Sequence, residues 1–296
     1  LTKRFINERY KVIIFDNFFT NTCSKIKGSK VIKCDITDYK SLTKIKLKNI
    51  HAVLHLAAQS SGPKSIEFPD LDVRLNILGT VNVLKYCKEN KIKNFLFASS
   101  FTVYGDPIKS QILKEKDSCY PKSLYGISKH TCEQYIKILC KKYLINWSII
   151  RMFNIYGPGQ DLSRRDQGIV SIYLSYIKEG NYLPIKGSLN RFRDLIYIDD
   201  VVDAWVKCLK NRKYKNEIYN LGSGKKTFIK EIIDEIILVY EKTGKVKIKK
   251  IAPTPGDING CYASIKNISK KINFKPKIPF KKGIRLFKDW ADSQSI

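Results

Sequence analysis

"LTKRFINERYKVIIFDN", residues 1–17, is the stretch on which the reading of the fold turns. An amphipathic segment carrying Leu1, Phe5 and Ile6 runs into an apolar strand, Lys11 to Phe15, that ends in Asp16. An acid at the end of a second strand is where a dinucleotide-binding unit holds its adenosine ribose. Such a unit opens with an earlier strand and a glycine-rich turn, and neither stands before Leu1. Whether Asp16 carries meaning therefore depends on the rest of the chain.

Downstream, short apolar runs alternate with helical patterns. Strands are predicted at 30–34, 52–56, 94–99 and 147–152, besides 11–16, with helix periodicity over 69–89 and 124–143. This alternation predicts an α/β fold, a parallel sheet covered by helices on both faces. After Arg151 the texture changes. "NIYGPGQDLSRRDQG" reads as a charged, Gly-rich loop and 169–178 as a helix; 195–200 returns to strand, and 200–209 is helical. Over 227–240, Ile229, Ile232, Ile233, Ile236 and Ile237 fall on one broad helical face. The C-terminal third is expected to form a smaller α/β lobe, interleaved in sequence with the sheet domain. No internal repeat or low-complexity linker interrupts the chain.

The 296 residues, 43% hydrophobic and 28% charged, suit a globular protein with a full core. No window approaches the roughly 18 apolar residues of a membrane span. The formal charge of +28 raises nucleic acid as a partner. The lysines are scattered, however, and the densest tracts, "KVKIKK" at 245–250 and "KPKIPFKK" at 275–282, lack a neighbouring Gly-aromatic motif. Solvated lysine is the favoured reading, and a positive field still draws in an anionic substrate such as a nucleotide diphosphate. The eight cysteines show no C-x-x-C spacing and form no metal cluster with the three histidines, His51, His55 and His130. Buried free thiols in a reducing cytosol are expected, and no metal.

The strongest local signal is "YGISK", Tyr125 to Lys129. Residues four apart on a helix share a face, so phenol and ammonium can converge on one point. The chemistry that needs this pair is proton transfer to or from a hydroxyl during hydride transfer. A free phenol near pKa 10 must fall by about 3 units, roughly 4 kcal/mol, to work near neutrality. A cation roughly 5 Å away at an effective dielectric of about 20 supplies around 3 kcal/mol of that. Upstream, "FLFASSFTVYG" ends a strand with Ser99 and Ser100, at the edge where open α/β sheets bind ligands. Ser100 is placed to bond the substrate oxygen; Ser99 reads as a residue satisfying the turn.

Ten motifs, "FDN", "CDITD", "HLAAQ", "NILGTVNVL", "ASSFTVYGD", "YGISK", "RMFNIYGPGQ", "RFRDLIYIDDVVDA", "YNLGSG" and "PGDINGCYA", occur in order along nearly the whole chain. In these the chain resembles the extended short-chain dehydrogenase/reductase family, and within it the nucleotide-sugar epimerases of the UDP-glucose 4-epimerase type. The resemblance implies a Rossmann-type doubly wound sheet over 1–153 and 194–221, binding NAD, and a nucleotide-sugar-binding lobe over 154–193 and 222–296. In that family a strand and a G-x-x-G-x-x-G turn precede the helix that begins here at Leu1, so about 15 residues are expected to be missing from the middle of the sheet. A truncated or mis-started gene product is expected, with a degenerate, inactive relative as the alternative.

The resemblance also assigns roles. Ser100, Tyr125 and Lys129 form the catalytic set. Asp16, favouring NAD over NADP, and Asn17 would hold the ribose; Asp35 and Ile36 would flank the adenine. Leu56, Ala57, Ala58 and Asn76 would line the cofactor path, with Phe153 near the nicotinamide. Asn154 and Arg193 would contact the sugar-nucleotide diphosphate, with an ion pair between Arg193 and Asp194 as the structural alternative. Asp257 would hold the uridine ribose. Phe101 and Thr102 stand where dehydratase relatives carry an Asp-Glu pair, which disfavours dehydration. Thr254 replaces an Arg that often clamps phosphate, and Cys261 replaces a bulky Tyr, leaving room for a 2-acetamido group. The expected activity is NAD-dependent 4-epimerisation of a UDP-hexose or UDP-N-acetylhexosamine, in a cytoplasmic homodimer feeding cell-surface polysaccharide synthesis. Another epimerase or dehydratase activity of the same family is the alternative.

Overall fold

The computed structural model of the chain describes all residues except 21–25, 108–109, 212–214, 253–257 and 295–296. Four parallel strands form its largest sheet, in the order Glu217–Leu221, Asn146–Met152, Asn94–Ser100, Val53–His55. A second parallel pair, Val12–Asp16 with Ser29–Lys33, forms a separate two-stranded sheet. Val12–Asp16 and Val53–His55 are thus not hydrogen-bonded to each other. The central strands are buried almost throughout, which is why they read as continuous apolar runs and not as alternating ones.

Helices cover both faces of this sheet. On one side Val83, Leu84 and Cys87 from the helix Gly79–Glu89 pack with Ile136 and Cys140 from the helix Leu124–Tyr143 over Phe95, Phe97 and Ile149. On the other, Ala204 and Trp205 from Ile198–Lys210 meet Leu96, Ile150 and Tyr219, and Ile268, Ile272 and Phe274 close the same cluster. The result is the parallel sheet with helices on both faces that the alternating pattern predicts, in the Rossmann-type doubly wound form that the resemblance implies. A third cluster lies to the C-terminal side. It joins Ile169–Glu179, the isoleucine face of Ile229–Val239 (Ile229, Ile232, Ile233 and Ile236) and Ile284, Phe287 and Ala291 of the last long helix.

Two boundaries differ from the sequence reading in informative ways. The segment 195–200 is strand only as far as Tyr197; Asp199 and Asp200 fall in the first turn of the helix Ile198–Lys210, where acids complement the exposed N–H groups. The helical stretch 69–89 is not uniform. Pro69–Asp72 is α-helical, Val73–Leu78 widens into a π-turn, and Gly79–Glu89 resumes as α-helix. π-turns recur at functional positions. Where the α-helix resumes, a Cβ on Gly79 would lie 2.5 Å from Ile36 Cδ1, so any larger residue there would force the Ile36 side chain to shift.

Candidate active site

The site forms where the parallel strands end. The strand Asn94–Ser100 delivers Ser100 to its C-terminal edge, and the turn Phe101–Val103 comes directly after it. Ser100 Oγ accepts bonds from the backbone N–H of Thr102 (3.2 Å) and from its hydroxyl (3.0 Å). Facing it is the helix Leu124–Tyr143, started by Ser123, whose hydroxyl oxygen accepts the Gly126 N–H at 3.1 Å. A Cβ on Gly126 would lie 2.7 Å from the Thr102 carbonyl, so glycine lets this helix lie against the serine turn.

Tyr125 and Lys129 project from one side of that helix. The Lys129 ammonium lies 5.8 Å from the Tyr125 ring centroid and 4.8 Å from that of Phe97, and donates to the Ala98 carbonyl at 2.9 Å. Ser100 lies close enough to the Tyr125 phenol to favour its ionised form. The three side chains assigned from the resemblance therefore converge at one strand end. Their protonation differs from the simple expectation. The phenol is pushed up to about 12: burial is the largest cause, Ser100 pulls against it, and Asp72 and Cys132 add to it. Burial also pushes the Lys129 ammonium down, against Cys132, Asp72 and Glu133, which favour its charge.

Asn76 lies in the π-turn and is buried. Its amide donates to Asp72 and to Ser128 Oγ, both at 3.0 Å, while its Oδ1 accepts the Gln59 N–H at 2.9 Å. The Gln59 amide in turn donates to Asp72 at 2.8 Å. Asp72, also buried, is held above the usual carboxylate range by that burial. Behind Lys129, His55 Nε2 lies 3.0 Å from the Thr80 hydroxyl, which donates its own proton to the Asn76 carbonyl at 2.6 Å. His55 Nε2 must then be the donor, leaving Nδ1 as the basic nitrogen. Asp72, Gln59 and His55 received no role from sequence, although "HLAAQ" carries two of them.

The remaining predicted residues divide. Asn17 and Asp35 line one open cavity of ≈ 390 Å³ with Lys33, Cys34 and Asp38. Asn17 Nδ2 donates to Asp35 at 3.3 Å, and the neighbouring Asp16 accepts the Phe18 N–H at 2.8 Å. Burial pulls Asp35 up, but bonds from Thr37 and Asn17 and the charge of Arg74 outweigh it and hold the acid below its ordinary value. Two hydrogen-bonded acids at adjacent strand ends provide the acceptors that a ribose and an adenine need, so these residues fit a dinucleotide. Ile36 is buried against Gly79, whereas Leu56 and Ala57 are exposed and Ala58 is half-buried. Phe153 is buried and stacks on Phe101, ring centroids 5.3 Å apart.

On the substrate side, Asn154 pairs with the Asp194 carbonyl through its backbone N–H (3.0 Å) and its amide (3.4 Å). Arg193 is buried and donates to the Phe192 carbonyl at 2.8 Å. The Asp194 carboxylate accepts from Ser223, Gly224 and Ala263, which ties the strand ends to the 261–263 segment. Cys261 is buried, its thiol pushed up to about 12 by that burial. Asp257 and Thr254 lie outside the described residues. Among the described residues no group of three His, Cys, Asp or Glu is arranged to hold a metal, and no helix is long and apolar enough to cross a membrane.

Known proteins resemble this chain in both sequence and fold. A Methanocaldococcus jannaschii protein provisionally named UDP-glucose 4-epimerase is 34% identical over 297 residues, spanning 100% of this chain and 95% of its own length. The solved UDP-glucose 4-epimerase of Thermotoga maritima, in complex with UDP-glucose, superposes with a TM-score of 0.93 at 26% identity, over 98% of this chain and 94% of that one. The UDP-N-acetylglucosamine 4-epimerase of Methanobrevibacter ruminantium M1 superposes with a TM-score of 0.88 at 31% identity, over 96% and 91%. The model of the NAD dependent epimerase/dehydratase family matches residues 1–222. With that match over residues 1–222 and a relative 34% identical along the whole of this chain, the chain belongs to the NAD-dependent epimerase/dehydratase family.

Proposed function

We propose that this chain interconverts the C4 epimers of a UDP-hexose or UDP-N-acetylhexosamine through a 4-keto sugar. The observation that carries the reading is the convergence of Ser100, Tyr125 and Lys129 at one strand end. Asp16, Asn17 and Asp35 would hold the adenosine end of NAD. When bound, NAD supplies a reversible hydride acceptor and, oxidised, a positive charge.

Tyr125 takes the proton of the C4 hydroxyl and later returns it, Ser100 orients that hydroxyl, and Lys129 favours the phenolate. Bringing a phenol at about 12 to neutrality costs ~7 kcal/mol. The ~3 kcal/mol of one nearby ammonium leaves a deficit for a second positive charge to cover. Arg193 and Asn154 would face the diphosphate. No net oxidation results, because the same carbon loses and regains its hydride.

The 2-acetamido substrate is favoured by the small Cys261, which stands where a bulky Tyr would fill that space. A homodimer is supported by the exposed apolar side chains of Val73 and Leu78 in the segment 69–89 and of Leu124, Ile127 and Ile138 on the helix Leu124–Tyr143. The test is incubation with NAD and UDP-glucose or UDP-N-acetylglucosamine, with C4 stereochemistry monitored by NMR. Tyr125→Phe should lower turnover by 10²-fold or more, in line with loss of a general base, while retaining NAD. Equal activity in that variant refutes the assignment.

A further inference from the structure

The buried ion pair below the strand ends ties the strand and the helix that carry the reacting groups to each other and to the neighbouring strand Asn146–Met152. Glu133 stands two turns beyond Tyr125 and one beyond Lys129 on the same helix, and is fully buried. Arg151 donates to it through Nε at 2.9 Å and Nη2 at 2.6 Å, and the Ser99 hydroxyl donates at 2.6 Å. Ser99 and Arg151 are direct partners across the ladder. Ser99 immediately precedes Ser100; Arg151 lies two residues before Phe153 and three before Asn154.

Further contacts hold the arginine. Its Nη1 donates to the Glu115 carbonyl at 3.2 Å, and its guanidinium lies 4.6 Å from the Tyr104 ring centroid. The Tyr104 hydroxyl donates to Asn220 at 2.7 Å, and Asn220 is the ladder partner of Arg151 on its other side. One carboxylate thus fixes the helix to two strands, each time within one to three residues of a site residue. Buried ion pairs are often no more stabilising than an apolar pair of similar volume, so stability alone does not account for this one.

We propose that Glu133 and Arg151 are positioning residues: they hold Ser100 in register with Tyr125 and Lys129 without touching substrate. The proposal rests on the functional reading of those three as the reacting set.

Two measurements separate the proposal from that reading. The first is steady-state epimerisation by Ser99→Ala, Glu133→Gln and Glu133→Leu/Arg151→Met. We expect kcat to fall about 3- to 10-fold in the first and 10- to 100-fold in the others, with KM for the nucleotide sugar within 3-fold of wild type. The second needs no turnover: amide hydrogen exchange over 99–103 and 123–129, expected to quicken at least 10-fold in Glu133→Gln, with thermal unfolding measured on the same samples. Ser99→Ala buries no unpaired charge, and so still gives both readouts if the double variant does not fold. Wild-type exchange at both segments in Glu133→Gln overturns the proposal, and so does a fall in kcat that only tracks the folded fraction. An inactive wild type refutes the functional reading instead, and exchange still decides this one.

Discussion

Lowering the pH should weaken the fold through one side chain, His55. Its imidazole is buried between the Phe95 and Phe97 rings, at centroid distances of 5.8 Å each, with the Lys129 ammonium nearby. Burial, reinforced by that charge, pushes its pKa down from 6.5 to about 3. A depressed folded-state value means that the unfolded chain takes up the proton first. The stabilising contribution is therefore fully present above pH ~6.5 and is lost as the pH falls towards about 3. At pH 5 the unfolded state gains ~2 kcal/mol from protonating this histidine while the folded state gains almost nothing.

The measurement is urea unfolding of wild type and His55→Gln at pH 7.5 and 5.0. Glutamine keeps a donor for Thr80 and removes the titration. Other groups, His130 included, titrate alike in both proteins and cancel. The stability gap between the two should shift by ~2 kcal/mol against wild type on acidification. Parallel losses, agreeing within ~0.5 kcal/mol, would refute the assignment of a neutral, buried imidazole.

Close packing and pocket size set two further outcomes. Gly79→Ala places a methyl 2.5 Å from Ile36 Cδ1 and 2.9 Å from its Cγ1. It should cost ~1–3 kcal/mol in denaturant unfolding; a neutral result would mean that Ile36 moves freely. Cys261→Tyr should lower kcat/KM for UDP-N-acetylglucosamine by roughly 10-fold or more relative to UDP-glucose, from lost space worth ~1–3 kcal/mol. An unchanged ratio measured by NMR would remove Cys261 from substrate selection.

Much of this molecule was legible in the chain because its chemistry is local. The Tyr125–Lys129 spacing is a helical repeat, and Ser100 closes an apolar run, so both could be placed before any coordinate. The isoleucines at 229–237 likewise announced their helix and its buried face. What escaped was set by long-range contacts. Nothing in "DVRLNILGT" signals a widened turn, because its backbone is shaped by Ile36 against Gly79 and by Ser128 against Asn76. The phenol's surroundings were only half legible for a similar reason: the spacing reveals the ammonium but not the desolvation, which is the largest influence. Glu133 sat at the next i+4 position after Lys129, a spacing that could have pointed to it. Its partner on a distant strand could not be read in the same way.

The widened turn at Val73–Leu78 leaves the helix before it and the helix after it out of phase. In a regular helix an extra residue would swing everything upstream of it by ~100°. Here that surplus is absorbed: the amide at 76 still reaches both the acid at 72 and Ser128 on the helix Leu124–Tyr143, and the hydroxyl at 80 still bonds the carbonyl of 76. The length of this segment therefore carries information that its composition does not. Shortening or lengthening it by one residue would leave every side chain chemically unchanged and still scatter the group.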